Sequence, residues 1–223
     1  MRCLYCHNPD TWTMDGAEEM AAEEIIRQFN SARGFYRNGG ITVSGGEPLL
    51  QMEFLTELFS LAKAEKIHTC IDTCGITFRP EDPVFMEKLN ALLALTDLIL
   101  LDIKHIDPEE HKKLCGQPNA PILAFARYLS DMGKPVWIRH VAVPGITMNR
   151  RWLYETGRFI GTQKNVKALD VLPYHDMGKI KYEKLGLEYP LKDTPPLSKE
   201  DAVRARSVIL EGIRASKIEQ RKQ

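Results

Sequence analysis

Surplus charge of either sign is missing from this sequence: across 223 residues, 30 Lys and Arg face 30 Asp and Glu. A chain with no net charge has no general electrostatic attraction for nucleic acid or for an anionic membrane. Long apolar runs are missing too, since none approaches the ~18 residues that a membrane-spanning helix needs. The segment from Met1 to Cys6 has no apolar stretch of signal-peptide kind. Cysteine is scarce, with five residues at 3, 6, 70, 74 and 115. An odd number in a chain this long does not make a secreted disulfide framework. The expected compartment is the reducing cytoplasm, where thiols bind metal or do chemistry. No internal repeat or low-complexity stretch stands out. What remains is ordinary: 43% hydrophobic and 27% charged residues, enough for a core without staples.

The hydrophobic pattern alternates strand-like and helix-like segments. Helices are expected over Ala17 to Phe29, Leu50 to Lys63, Val84 to Leu95, Pro108 to Leu114, Pro121 to Met132, Asn149 to Ile160 and Ser198 to Arg214. Strands are expected over Gly40 to Ser44, Ile67 to Asp72, Asp97 to Ile103, Val136 to Val141 and Ala168 to Leu172. Tyr174 to Pro196 reads mostly as loop, and the polar tail from Ser216 as frayed. Such alternation makes an α/β fold with parallel strands, read here as one domain over 1–223. Chemistry in these folds gathers where strands end and βα loops begin.

The first strand ends in Gly45-Gly46-Glu47-Pro48. The two glycines let the backbone come close to an amino or carboxylate group, although a plain βα turn reads equally well. The second ends in Asp72-Thr73 and the third in Asp102-Ile103-Lys104. Acids closing adjacent strands suit a cation or a ligand's hydroxyls or ammonium; solvated loop acids are the plainer reading. The fourth puts Trp137, Arg139 and Val141 on one face, where an inward Arg139 is costly unless paired or at the sheet rim. His175 follows the fifth strand and suits either an aromatic base or the surface. Cys3-x-x-Cys6 brings two soft donors together for zinc, an iron–sulfur cluster or a redox pair. Cys70 reads as a small buried hydrophobe and Cys115 as structural. A zinc site joining Cys3 and Cys6 to Cys70 or Cys74 is a further alternative.

Taken in order, Cys3-Leu4-Tyr5-Cys6-His7-Asn8, Gly45-Gly46-Glu47-Pro48, Asp72-Thr73-Cys74-Gly75, Asp102-Ile103-Lys104, Trp137-Ile138-Arg139 and Leu172-Pro173-Tyr174-His175 resemble the pyruvate formate-lyase activating enzymes. These are radical S-adenosylmethionine (SAM) proteins. The resemblance implies a partial (β/α)6 TIM-like barrel. It also implies a [4Fe–4S] cluster held by three cysteines, whose open iron chelates SAM. Reductive cleavage of SAM would give a 5′-deoxyadenosyl radical that takes a glycine α-hydrogen from pyruvate formate-lyase. Cys3 and Cys6 resemble the second and third cluster ligands, and Tyr5 the aromatic residue beside cluster and adenine. Gly45, Gly46 and Glu47 resemble the receptor of the SAM amino group. Asp72, Thr73 and Asp102 resemble ligands of a monovalent cation. Lys104 and His175 resemble further SAM contacts, with His175 near adenine. Arg139 resembles the catalytic barrel residue between SAM and the glycine loop.

The family's first cluster ligand would stand four residues before Cys3, upstream of Met1. The sequence is therefore expected to be an N-terminally truncated form, without that ligand and without the first barrel strand. The implied partners are a glycyl-radical enzyme and a reduced flavodoxin or ferredoxin, and the implied state is a monomer. Two functional alternatives remain at this point: a non-catalytic module that binds SAM or the partner, and an activase of another glycyl-radical enzyme. No cysteine lies between Cys6 and Cys70, which favours the pyruvate formate-lyase type over activases with cysteine-rich inserts.

Overall fold

A computed structural model describes residues 1–13, 18–36 and 39–222. Five strands, β1 (Gly40–Val43), β2 (His68–Thr73), β3 (Leu98–Asp102), β4 (Val136–Ala142) and β5 (Val166–Pro173), form one sheet in sequence order. Every neighbouring pair is parallel. The sheet is open, in keeping with a partial barrel. Between the strands run α2 (Met52–Ala64), α3 (Pro83–Ala94), the pair α4 (Pro108–Cys115) and α5 (Ala120–Asp131), and α6 (Arg150–Gly161). Helix α1 (Ala22–Ser31) precedes β1; α7 (Lys179–Lys184) and α8 (Lys199–Gln220) follow β5. No described helix is long and apolar enough to cross a membrane.

Local chemistry sets the helix starts. Asp82 caps α3 by accepting from Phe85 N at 3.0 Å, with Pro83 behind it, and Asp107 caps α4 by accepting from Glu109 N and Glu110 N. Asn149 and Ser198 do the same for α6 and α8. Such a cap is worth ~1 kcal/mol to its helix.

Alternation then splits the sheet into two faces. Ile99, Leu101, Ile138 and Ala142 point to the helical side and are almost wholly buried. Each buried Ile or Leu side chain contributes about 1.5–3 kcal/mol by leaving water. On the opposite face, Leu100, Asp102, Arg139 and Val141 are half-buried. That concave face is where polar groups can be reached. A second apolar cluster joins the N-terminal segment (Cys3, Tyr5) to the end of α4 (Leu114, Cys115) and to Tyr174, Tyr182 and Tyr189.

Two expectations, on the first and last helices, need correcting. The first helix starts at Ala22, because Ala21 is extended (φ −70°, ψ 151°), and it runs on to Ser31; Ala17 lies outside the described residues. The segment 174–196 is mostly loop as expected, interrupted by the short helix α7 with its buried Tyr182. The last helix continues through the supposed tail to Gln220, because Ser216 is buried and Gln220 donates to the carbonyl of Gly161 at 3.2 Å.

Candidate functional site

At the C-terminal ends of the strands lies a pocket of 330 Å³. Its walls bring together Cys3, Tyr5 and Cys6 from the N-terminal segment, Ser44 to Gly46 after β1, Asp72 and Thr73 of β2, Asp102 of β3 and Lys104 just after it, Arg139 of β4 and His175 after β5. Residues spread over most of the chain thus share one cavity. The larger hollow at the start of α2 and α3 holds neither a thiol nor a histidine.

Arg139 organises the pocket's charge. Register places Arg139 beside Asp102 and Asp72 beside Leu100, so all three side chains leave the same sheet face. The guanidinium donates to both oxygens of Asp72, at 2.9 and 2.5 Å, and through Nε to Asp102 Oδ1 at 3.0 Å. Lys104 Nζ donates to the remaining Asp102 oxygen at 2.9 Å. Two acids and two bases balance, which answers the cost of an inward arginine. Burial opposes ionisation of Asp102, but the charges of Lys104 and Arg139 outweigh it and hold the carboxyl below its usual range. Burial is the larger effect on Asp72, whose pKa is raised despite Arg139. Burial likewise works against the charge of Lys104, and Asp102, Tyr5 and Cys3 together overturn it. The ammonium also sits 5.5 Å from the centre of the Tyr5 ring.

Glu47 has a different place from the one the sequence suggested. Its carboxylate turns away from the cavity and accepts from Leu49 N (3.2 Å), Thr73 Oγ1 (2.5 Å), Cys74 N (3.2 Å) and Cys74 Sγ (2.9 Å). It ties the β1 loop to the β2 loop. Ser44, Gly45 and Gly46 form the rim instead, and Gly45 has φ +142°, a conformation that a residue with a side chain rarely adopts. The Thr73 hydroxyl, donating to Glu47 and accepting from Gly75 N at 2.9 Å, is engaged as well.

His7, which the sequence reading left without a role, stacks on His175 with ring centres 4.0 Å apart. Its Nε2 meets the His175 carbonyl at 3.0 Å. Position was the available signal, because His7 directly follows Cys6. A Cβ on Gly178 would stand 3.1 Å from the Cys6 carbonyl oxygen, so α7 begins directly against the cysteine loop. Cys3 is buried, and the neighbouring Cys115 thiol, opposed by burial and helped by the charge of Lys104, lowers its pKa to about 7. Burial, then the charge of Glu47, pushes Cys74 far upward.

The residues present fit SAM. Tyr5 Oη and His175 Nδ1 are buried without partners, and both residues line the cavity. Lys104 and Arg139 offer positive charge to a carboxylate, and the glycine rim offers backbone to an ammonium. The fit to a [4Fe–4S] cluster is partial: Cys3 and Cys6 supply two thiols where three are needed. Among the described residues no group of three His, Cys, Asp or Glu side chains closes a metal site. That also disposes of the zinc arrangement with Cys70 or Cys74. A monovalent cation at Asp72 and Asp102 would have to share their oxygens with Arg139 and Lys104, which donate to all four.

Known proteins agree with this geometry. Residues 1–155 match the radical SAM superfamily model. A "Pyruvate formate-lyase-activating enzyme" of Streptococcus mutans is 53% identical over 88% of this chain and 75% of its own length. One of Listeria monocytogenes is 50% identical over 86% and 78%. Among solved structures, a domain of the pyruvate-formate lyase-activating enzyme from Bacteroides vulgatus aligns with TM-score 0.63 at 23% identity, over 78% of this chain and 95% of that one. Streptococcus suis SuiB bound to S-adenosylmethionine aligns with TM-score 0.58 at 19% identity, over 79% and 36%. Sequence match, open parallel sheet and strand-end pocket converge: the chain belongs to the radical SAM superfamily of enzymes, within the family of pyruvate formate-lyase-activating enzymes.

Proposed function

We propose that the pocket binds SAM for activation of a glycyl-radical enzyme of pyruvate formate-lyase type. The observation that carries this reading is the convergence of Cys3, Tyr5, Cys6, Gly45, Gly46, Asp72, Asp102, Lys104, Arg139 and His175 on one cavity. When complete, the family's cluster supplies the electron that breaks the SAM sulfonium bond and so frees a radical able to take a glycine α-hydrogen. The chain's own residues do the rest. The carbonyls of the Gly45-Gly46 turn receive the ammonium of SAM. Lys104 takes its carboxylate, and Tyr5 and the His7–His175 stack flank its adenine. Arg139, clamped to Asp72 and Asp102, fixes the wall that the partner's glycine loop must approach. Holding the reacting groups in line converts an encounter into a local event, and the cavity walls keep water away. A reduced flavodoxin or ferredoxin serves as donor, and one domain over 1–223 acts as a monomer.

The test is anaerobic loading with iron and sulfide, then dithionite and SAM. The reading expects 5′-deoxyadenosine and, with pyruvate formate-lyase added, a glycine-centred radical by electron paramagnetic resonance. A second reading rests on the two-thiol donor set: the chain binds SAM and its partner without turnover. SAM binding by calorimetry with no 5′-deoxyadenosine would establish that one. Absence of both binding and product would sink the two together.

A further inference from the structure

Cys115 ends α4 in an apolar cluster, wholly buried, where packing alone asks for no thiol. The backbone straps residue 3 beside it: Leu4 N donates to Leu114 O at 2.9 Å and Arg2 N to Cys115 O at 3.4 Å. Both thiols are free and buried in the same apolar cluster. Of the other cysteines, Cys6 stands beside Cys3, its N–H donating to the Cys3 carbonyl at 3.0 Å, and is the competing partner that the test must separate. The Cys74 thiol donates to Glu47, Cys70 belongs to β2, and Cys6 is more exposed than Cys3. Cys3 also lines the pocket, so a small oxidant entering the cavity reaches one sulfur of the pair without unfolding.

We propose that Cys3 and Cys115 form a reversible disulfide that withdraws Cys3 from the pocket under oxidation. With hydrogen peroxide the step balances. The Cys3 sulfur attacks one peroxide oxygen, the O–O bond breaks, and one water leaves a sulfenic acid. The Cys115 sulfur then attacks the Cys3 sulfur, the S–O bond breaks, and the second water leaves. Two thiols lose two electrons and the peroxide gains them; a dithiol reductant reverses the change. The bond needs nothing but this pair. Its consequence, that a cluster-binding cysteine is parked in a protected form while oxidant is present, rests on the functional reading above.

The full chain, purified without iron, is treated with peroxide, blocked with an alkylating agent and digested with trypsin without reductant. The expected product joins fragment 3–27 to fragment 114–127 and disappears on treatment with dithiothreitol. It persists in Cys6→Ser and is lost in Cys115→Ser, whose thermal unfolding reports that the fold survives. A disulfide confined to fragment 3–27 overturns the proposal, as does a cross-link that persists in Cys3→Ser. Iron uptake separates the two readings. Oxidised wild-type chain should fall to background while oxidised Cys115→Ser keeps the uptake of reduced protein. Cross-linking without any uptake by the reduced chain would remove the cluster reading and leave the disulfide standing.

Discussion

Glu47 and His140 are the residues whose environment is most demanding. Glu47 gathers donors from three other residues within one buried corner. Glu47→Gln turns one acceptor into a donor, so a donor then faces the Cys74 N–H or the Thr73 hydroxyl. The expected loss is about 1–3 kcal/mol in urea unfolding, with SAM affinity falling as the glycine rim loosens. His140 is buried, its Nδ1 against the Ile103 carbonyl at 2.8 Å and its Nε2 unpartnered. Burial lowers its pKa to about 4, and burial lowers those of His105 and His111 too. The unfolded chain therefore binds these protons first. Stability is complete above the ordinary histidine range and falls as pH drops from about 6.5 towards 4. From pH 7.5 to 5, His140 alone should cost about 2 kcal/mol. Urea midpoints across that window should show it, and His140→Gln should flatten the slope.

Packing between elements is tightest where α6 crosses α8. A Cβ on Gly157 would stand 2.0 Å from the Ile209 carbonyl oxygen, and one on Gly212 would stand 2.1 Å from that of Tyr154. In an exposed helix Gly→Ala gains roughly 0.5–1 kcal/mol. At this crossing the backbones must separate instead, an overpacking cost of about 1–3 kcal/mol. Gly157→Ala should therefore lower the melting temperature, with Gly212→Ala behaving alike. On the sheet, Arg139→Gln leaves Asp72 and Asp102 with Lys104 as their remaining cation. A loss of about 2 kcal/mol is expected. Arg139→Lys restores charge but not the two-pronged hold on Asp72, so it should recover stability better than SAM affinity.

Over the whole molecule, binding at the pocket couples the N-terminal segment to every strand end. SAM contacts would join Tyr5 before β1 to His175 after β5. A ligand bound to the folded state alone should stabilise it by about 2.7 kcal/mol at a hundred times its dissociation constant. A thermal shift with SAM is the expected result, much reduced when Lys104→Ala removes the proposed carboxylate partner. The outer wall of the cysteine loop behaves as part of the same unit: Lys181 of α7 holds Asn8 and Asp10 at 2.8 and 3.0 Å.

Composition and patterning determined the class of fold: five apolar strand runs spaced by amphipathic helices leave little besides a parallel sheet with strand-end loops. Strand ends set the candidate rim, because groups that follow parallel strands fall at the same edge of the sheet, while the roles of those residues came from the family resemblance. Hydrogen-bond partners were not legible. Glu47 sits in a motif that suggests a ligand contact, yet its buried neighbours Thr73 and Cys74 claim its carboxylate. Asp72 and Asp102 read as a cation site, whereas strand register sets Arg139 across from one of them. Cys3 and Cys115 are distant in sequence, and only the return of the chain past the end of α4 puts residue 3 beside residue 115. Local periodicity records which face a residue occupies, whereas hydrogen-bond partners depend on what tertiary packing brings opposite it.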